Sequence, residues 1–381
     1  MKRTLLFALA ILSIVAILPT FTLAQSGYYA ITNNDPPGVT NSATIFKLQG
    51  KDLNVVKNLS SGTNGNGGGA FDLPRIVVGK NGSTQCLFVV DAGNSDVASF
   101  QLPSLKKAGN FTDPKGNGSG FGNSMGLATG GNLLFVAYSV TANIGVFQIG
   151  TGCNLSLLGT YNAATSVVGL KVTPDGKTLV VGYGFGENLV DSFSISSKGV
   201  LTEHGPYPSL NGAAGVDITS DSKYAVFGDA TAGSTQVEVY PINSDGTLGT
   251  ETSFGGDGSL GTGQDSSSVW ISPNEKFIFV ANNLSKQVTS LGFTETPVNV
   301  SYVGITTLQD SGQIISIGGL TTASPSGNGG GLYVAEFDGD GLVGLLRINA
   351  DGTTTEAPGS PFDNGVASSL LSVAAYPPRS F

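Results

Sequence analysis

The sequence predicts an all-β protein, a seven-bladed β-propeller closed by its C-terminal strand. Three observations lead there. First, an apolar strand signature, clearest as Leu87-Phe88-Val89-Val90, returns at 134–137, 179–182, 225–228, 278–281 and 332–335. The spacing is roughly 45 to 55 residues, and a strand-only repeat of that length means radially arranged blades. Second, turn residues sit at fixed offsets from each copy, as in Pro174-Asp175-Gly176-Lys177 before it and Ser196-Ser197-Lys198-Gly199 after it. Asp-Gly and Asn-Gly accept the positive φ that tight hairpins require. Third, the two ends of the repeat array complement each other. The array starts on a signature strand, Tyr28-Tyr29-Ala30-Ile31, without the inner strand that precedes it elsewhere. A strand of the missing kind lies at 369–377. Pairing the two completes the first blade and leaves no open sheet edge between first and last blades.

The N-terminal segment reads as an export signal. Lys2 and Arg3 precede an apolar run from Leu5 to Leu18, Pro19 ends it, and Thr22-Leu23-Ala24 offers small residues for cleavage. The expected organisation is a signal peptide at 1–24 and one propeller at 25–381, secreted, periplasmic or at the cell surface. The alternative is an uncleaved anchor, since 5–23 nearly reaches the ~20 residues that span a bilayer.

Each repeat then follows one grammar: inner strand, tight turn, signature strand, loop, third strand, second hairpin, outer strand. In the fourth repeat these are 168–172, 174–177, 178–182, a loop, 190–195 and 196–199 before the outer strand. The nearly unbroken apolar run Phe277-Ile278-Phe279-Val280-Ala281 suits a strand buried on both faces between blades. Trp270, on an inner strand, is expected to pack rather than to form a ligand platform. The segment 321–331 gives the last blade a longer first connection, and 62–69 reads as a flexible link between outer and inner strands.

The chain has 56 glycines, 12% charged residues and a net charge of −9. Lysines and arginines form no cluster, so a nucleic-acid partner is not expected. The remaining partner classes are a small molecule, a glycan or a protein at the channel mouth, with the propeller a monomer. Only Cys86 and Cys153 are present. A disulfide in an oxidising compartment and two buried thiols both fit.

The phrases Val172-Thr173-Pro174-Asp175-Gly176-Lys177-Thr178-Leu179-Val180-Val181 and Ile271-Ser272-Pro273-Asn274-Glu275-Lys276-Phe277-Ile278-Phe279-Val280-Ala281-Asn282-Asn283 resemble the SPDGKYLYVAN repeat of the lactonase-like, or YVTN, seven-bladed propellers. The resemblance covers essentially the whole chain after the signal. It implies the propeller fold and, for the catalytic members, lactone chemistry with His, Arg and Glu around the channel mouth. This chain departs from that pattern. Its only histidine, His204, falls on an outer strand far from the axis, and of Arg75, Arg347 and Arg379 only Arg75 is placed near it. Where catalytic relatives carry histidine at strand starts, this chain has Gly126, Gly169, Gly215 and Ser268. A phosphorylated sugar lactone would want several cations. One arginine near the axis argues against that substrate.

The loop after each signature strand carries the candidate site. It supplies Asn33, Asn34, Asp35, Asp91, Asn94, Asp96, Tyr138, Tyr183, Glu187, Asn188, Asp229, Asn282, Asn283, Glu336, Asp338 and Asp340. Projected to the mouth, these would form a ring of oxygen ligands. Asn and Asp are also common there because they bond their own backbone in turns. The expected ligand-binding set is Arg75, Tyr138, Tyr183, Asp229, Asn282 and Glu336. The catalytic candidates are Arg75, Asp91 and Glu187, and the metal candidates are Asp91, Asp229, Glu336 and Asp338. The residues specify no cofactor outright. A hard divalent cation such as Ca²⁺ is the one such oxygens would take, and it could assist lactone hydrolysis. The expected function is a binding or interaction scaffold through a polar mouth, the alternative a lactone hydrolase.

Overall fold

A computed structural model describes residues 22–23, 27–66, 74–119, 125–184, 186–210, 212–231, 233–309, 313–319, 331–337, 341–366, 368 and 372–379. Seven antiparallel sheets of four or five strands form the blades. The inner strands of blades 2 to 7 are Ile76–Asn81, Met125–Gly130, Gly169–Val172, Ala213–Ile218, Ser266–Ile271 and Gln313–Gly319. Ser372–Tyr376 is the inner strand of blade 1 and pairs with Tyr29–Asn33 from the other end of the chain. Strand order and closure are therefore as the repeats predict. Among the described residues no helix is long and apolar enough to cross a membrane. Of the signal segment only Thr22 and Leu23 are described, and Leu23 packs with Tyr29, Leu102 and Leu105.

The core lies between blades. Signature residues such as Phe88, Phe135, Phe227 and Phe279 are fully buried, because each second strand is covered on both faces. Every junction between neighbours holds an apolar cluster, the last uniting Ala30, Phe46 and Val373 of blade 1 with Tyr333, Val343 and Leu345 of blade 7. Near the axis the inner strands crowd together. A Cβ at Gly169 would collide with the Ala214 carbonyl, and one at Gly215 with the Ser267 carbonyl. Both positions are thus glycine because backbone passes directly beside them.

Cys86 and Cys153 form a disulfide, joining blade 2 to the hairpin before the outer strand of blade 3. This settles the choice left open by composition. The segment at 62–69 is in part ordered strand, since Asp52–Asn64 runs as one outer strand and Gly65 bridges to Pro37. The long connection at 321–330 lies outside the described residues.

Candidate functional site

The loops after the second strands do gather at one end of the ring, but their polar side chains turn into the blades. Asn33, Asn34, Asp35, Asp91, Asp229 and Asn282 are all at most 1% exposed. Asn41 donates from Nδ2 to Asn33 Oδ1 and Asp91 Oδ1, each at 2.8 Å. Thr63 Oγ1 donates to Asp91 Oδ2 at 2.7 Å, and Asn110 Nδ2 donates to Asp91 Oδ2 at 3.1 Å and Asp96 Oδ1 at 2.9 Å. Arg75 does not open on the mouth either. Its guanidinium is buried against Asp35, with Nη1 to Oδ2 at 2.5 Å. Its carbonyl accepts from Val90 N at 2.9 Å.

The same inward use recurs around the ring. Tyr183 donates to Asp191 Oδ2 at 3.1 Å and accepts from Ala164 N at 3.1 Å. Tyr138 is buried beside Asp113. Asp229 caps its own turn, accepting from Thr231 N at 3.1 Å. Asn282 bonds Thr289 Oγ1 and Ser266 Oγ, at 2.8 and 3.0 Å, and Asn283 donates to Asp265 Oδ2 at 3.1 Å. Asn94, Glu187 and Asn188 are exposed. Asp338, Asp340 and the side chain of Glu336 lie outside the described residues. The expected single ring of open oxygen ligands therefore does not form among the described residues, and no three acidic, His or Cys groups there converge to hold a metal. The physical reason is desolvation: an Asn or Asp between packed blades must be hydrogen-bonded at once. His204, beyond the outer strand Leu201–Glu203, bonds Ser194 Oγ away from the axis, as expected.

Burial leaves several of these carboxyls reluctant to ionise. It pushes Asp91 up to about 8, with Asp96 adding to the rise against hydrogen bonds from Ser61 and Thr63. Burial also takes Asp191 and Glu251 to about 7, helped by Glu203 and Glu238 respectively, and Asp265 to about 6. A raised carboxyl holds its proton when folded and releases it when unfolded. Stability therefore falls as pH climbs from the ordinary carboxyl range near ~4 toward these values. The carboxyls held low, such as Asp175 and Asp221, lose their contribution only on the acid side of that window. The expected melting temperature at pH 5 exceeds that at pH 8 by about 5 °C. Asp91→Asn should flatten the slope, and a melting temperature that rises from pH 5 to pH 8 would contradict this reading.

The open space lies on the axis. A cavity of about 370 Å³ is lined by the inner strands of all seven blades and by Pro378 and Arg379 of the tail. Its described wall carries three cations, Lys80, Lys171 and Arg379, and no acid. Toward the end where the first hairpins of the blades turn, Asp217 sits behind this wall, 1% exposed. Lys171 Nζ lies 3.0 Å from Asp217 Oδ1, and Arg379 Nη1 and Nη2 lie 3.0 and 3.1 Å from Oδ2 and Oδ1. Ile271 N donates to Asp217 Oδ2 at 2.9 Å. Burial alone would raise Asp217, but Arg379 and Lys171 hold its carboxyl below the ordinary range. The Arg379 guanidinium stands 5.9 Å above the Trp270 ring, whose other neighbour is Phe279. Trp270 thus packs, as expected, and also lines the channel. A Cβ at Gly319 would overlap its indole, so glycine there is what admits the ring.

Sequence reading missed Lys171, Asp217 and Arg379. Lys171 and Asp217 had a signal, charges interrupting otherwise apolar inner strands. Arg379 had none, since nothing local says where a residue after Pro377-Pro378 will land.

No protein-family profile matches the chain, and no curated protein matches it in sequence. Solved structures do match in shape. A Bacteroides fragilis protein provisionally assigned as a 6-phosphogluconolactonase aligns with a TM-score of 0.68 at 17% identity, over 92% of this chain and 98% of its own. A similarly assigned Bacteroides uniformis protein gives 0.67 at 13% identity, over 92% and 100%. The periplasmic gluconolactonase of Pseudomonas aeruginosa gives 0.66 at 15% identity, over 89% and 98%. At these identities the likeness is one of fold, and it agrees with the repeat phrases: the chain has the seven-bladed propeller fold of the lactonase-like proteins.

Proposed function

We propose that this chain is an exported binding propeller that holds a small polar molecule in its central channel. The observation that carries the reading is the cavity itself. It is walled by all seven inner strands and large enough for a sugar-sized ligand. Asp35, Asp91 and Asp229 of the mouth loops, by contrast, are buried and bonded to neighbouring side chains or backbone. Export is supported by the charged start and apolar run before Pro19 and by the disulfide, a bond of oxidising compartments.

The second reading is lactone hydrolysis, supported by the fold shared with a protein named gluconolactonase. Calorimetric titration with glucono-1,5-lactone, beside measurement of acid release, separates the two. Binding predicts saturable heat and acid release at the uncatalysed rate. Accelerated release that disappears in a variant of unchanged melting temperature at Glu187, the one exposed residue among the catalytic candidates, would establish the hydrolase. Absence of saturable heat would remove the channel as a site for this ligand class.

A further inference from the structure

If the channel is a ligand site, its wall also specifies the chemistry of the ligand, an inference that rests on the proposed binding function. We infer that the hairpin end of the channel is a subsite for the carboxylate of a small hydroxy acid, recognised by Lys171 and Lys80, with Arg379 holding Asp217 and adding positive charge behind them.

Charge distribution is the first support. The whole chain has 18 Lys and Arg against 27 Asp and Glu. Its described channel wall reverses that balance, with three cations and no acid. A concave, low-dielectric wall of one sign focuses its field on whatever enters. In an acidic protein such a wall draws anions to a place where the local field opposes the overall charge.

The geometry around Asp217 is the second. Two cations share this one carboxylate, so the group keeps a net positive charge toward the cavity. Lys171 is fixed by Asp217 at 3.0 Å yet remains 39% exposed, and its ammonium has three donors. Lys80, at the same end on the inner strand of blade 2, has no ion pair among the described residues. Asp217 holds Lys171 and Arg379 in place from behind the wall, and the ligand carboxylate would take the Lys171 donors that Asp217 leaves, together with the ammonium of Lys80.

The tail supplies the third. Arg379 follows the inner strand of blade 1 but bonds Asp217 and the Ile218 carbonyl of blade 5 and the Ile271 carbonyl of blade 6. It therefore lies across the end of the channel, over Trp270. A ligand meeting this end comes under the positive charge of Arg379 and beside Trp270, which lines the cavity with it. Thr129, Ser268 and Ser316 on the wall offer partners for hydroxyl groups, which is why a hydroxy acid fits better than an alkanoate.

Trp270 is the only tryptophan, so its fluorescence reports the subsite without labels. The full mature chain is titrated with sodium gluconate, with sorbitol as the neutral match and with sodium chloride at equal ionic strength. Gluconate should change the emission saturably, and sorbitol should bind at least about tenfold more weakly, the size of effect expected when a charge-assisted contact is missing. Lys171→Gln and Lys80→Gln, checked for an unchanged melting temperature, should each weaken gluconate about three- to tenfold and leave sorbitol unaffected. Arg379→Lys should weaken it too, since one ammonium cannot reproduce the fork that holds Asp217 and two backbone carbonyls and so sets Lys171. Equal binding of gluconate and sorbitol, or a Lys171→Gln variant that binds gluconate as well as the parent, would overturn the anion subsite while leaving the channel a binding site. A response matched by chloride alone would overturn it as mere screening. No saturable response to either ligand would overturn both the subsite and the channel reading.

Discussion

Removing residues 372–381 is expected to abolish cooperative folding of the propeller. The inner strand Ser372–Tyr376 pairs residue by residue with Tyr29–Asn33, from Tyr29 opposite Tyr376 to Asn33 opposite Ser372. Val373 and Tyr376 are 5% and 7% exposed, so the strand is core as well as edge. It also seals the ring to blade 7, where Val373 N donates to Ser316 Oγ at 3.2 Å and the Val373 carbonyl lies against Gly318. Truncation would expose a bare strand edge in blade 1, open the apolar cluster between blades 7 and 1, and take Arg379 away from Asp217. An uncovered edge of this kind pairs with other copies. Circular dichroism melts and size-exclusion chromatography should show a melting temperature lowered by at least about 15 °C, or no cooperative transition, with soluble oligomers. Addition of a synthetic 372–379 peptide should recover part of the loss. A truncated chain that melts with the parent would show that blade 1 does not need its donated strand.

Arg75→Ala is the point substitution with the largest expected cost. Arg75 and Asp35 are both fully buried and joined at 2.5 Å, and Asp35 also accepts from Asn66 N at 2.9 Å. Taking away the cation leaves a carboxylate in the interior with its main charge partner gone. Breaking a buried pair from one side costs about 3–5 kcal/mol. Urea unfolding should register that loss. The double variant Arg75→Met with Asp35→Asn should recover much of it, since replacing both partners removes the stranded charge. A loss below about 1 kcal/mol would mean that the pair is solvated in solution. The same substitution also separates structure from binding. If Arg75 served a ligand at the mouth, Arg75→Ala would weaken binding at unchanged stability.

The division between what the chain's pattern made legible and what it did not tracks the range of the forces involved. Blade count and closure rest on local signals, such as the turn at Pro174-Asp175-Gly176-Lys177 and the apolar run 277–281, and on two ends that each lack what the other has. The site depends on where side chains point after blades pack. Asp91 and Arg75 occupy loop and strand-start positions from which they could face the mouth. They turn inward because Asn41, Thr63 and Asn110 in one case and Asp35 in the other are within reach. No periodicity encodes those encounters. Arg379 and Asp217 are 162 residues apart and meet only because the tail crosses the axis. The cysteines show the same limit: both blade positions were readable, but their approach to a Cα separation of 5.7 Å was not. Trp270 was half legible, since its packing on Phe279 comes from strand position while its place beneath Arg379 does not.

A crystal structure of the protein grown with gluconate bears most directly on the channel. The expected result is a ligand inside the ring of inner strands, its carboxylate within hydrogen-bond distance of Lys171 Nζ and facing Lys80 Nζ. Ligand density confined to the loops around Asp91 and Asp229, with the space between Lys80 and Lys171 filled only by water, would contradict it.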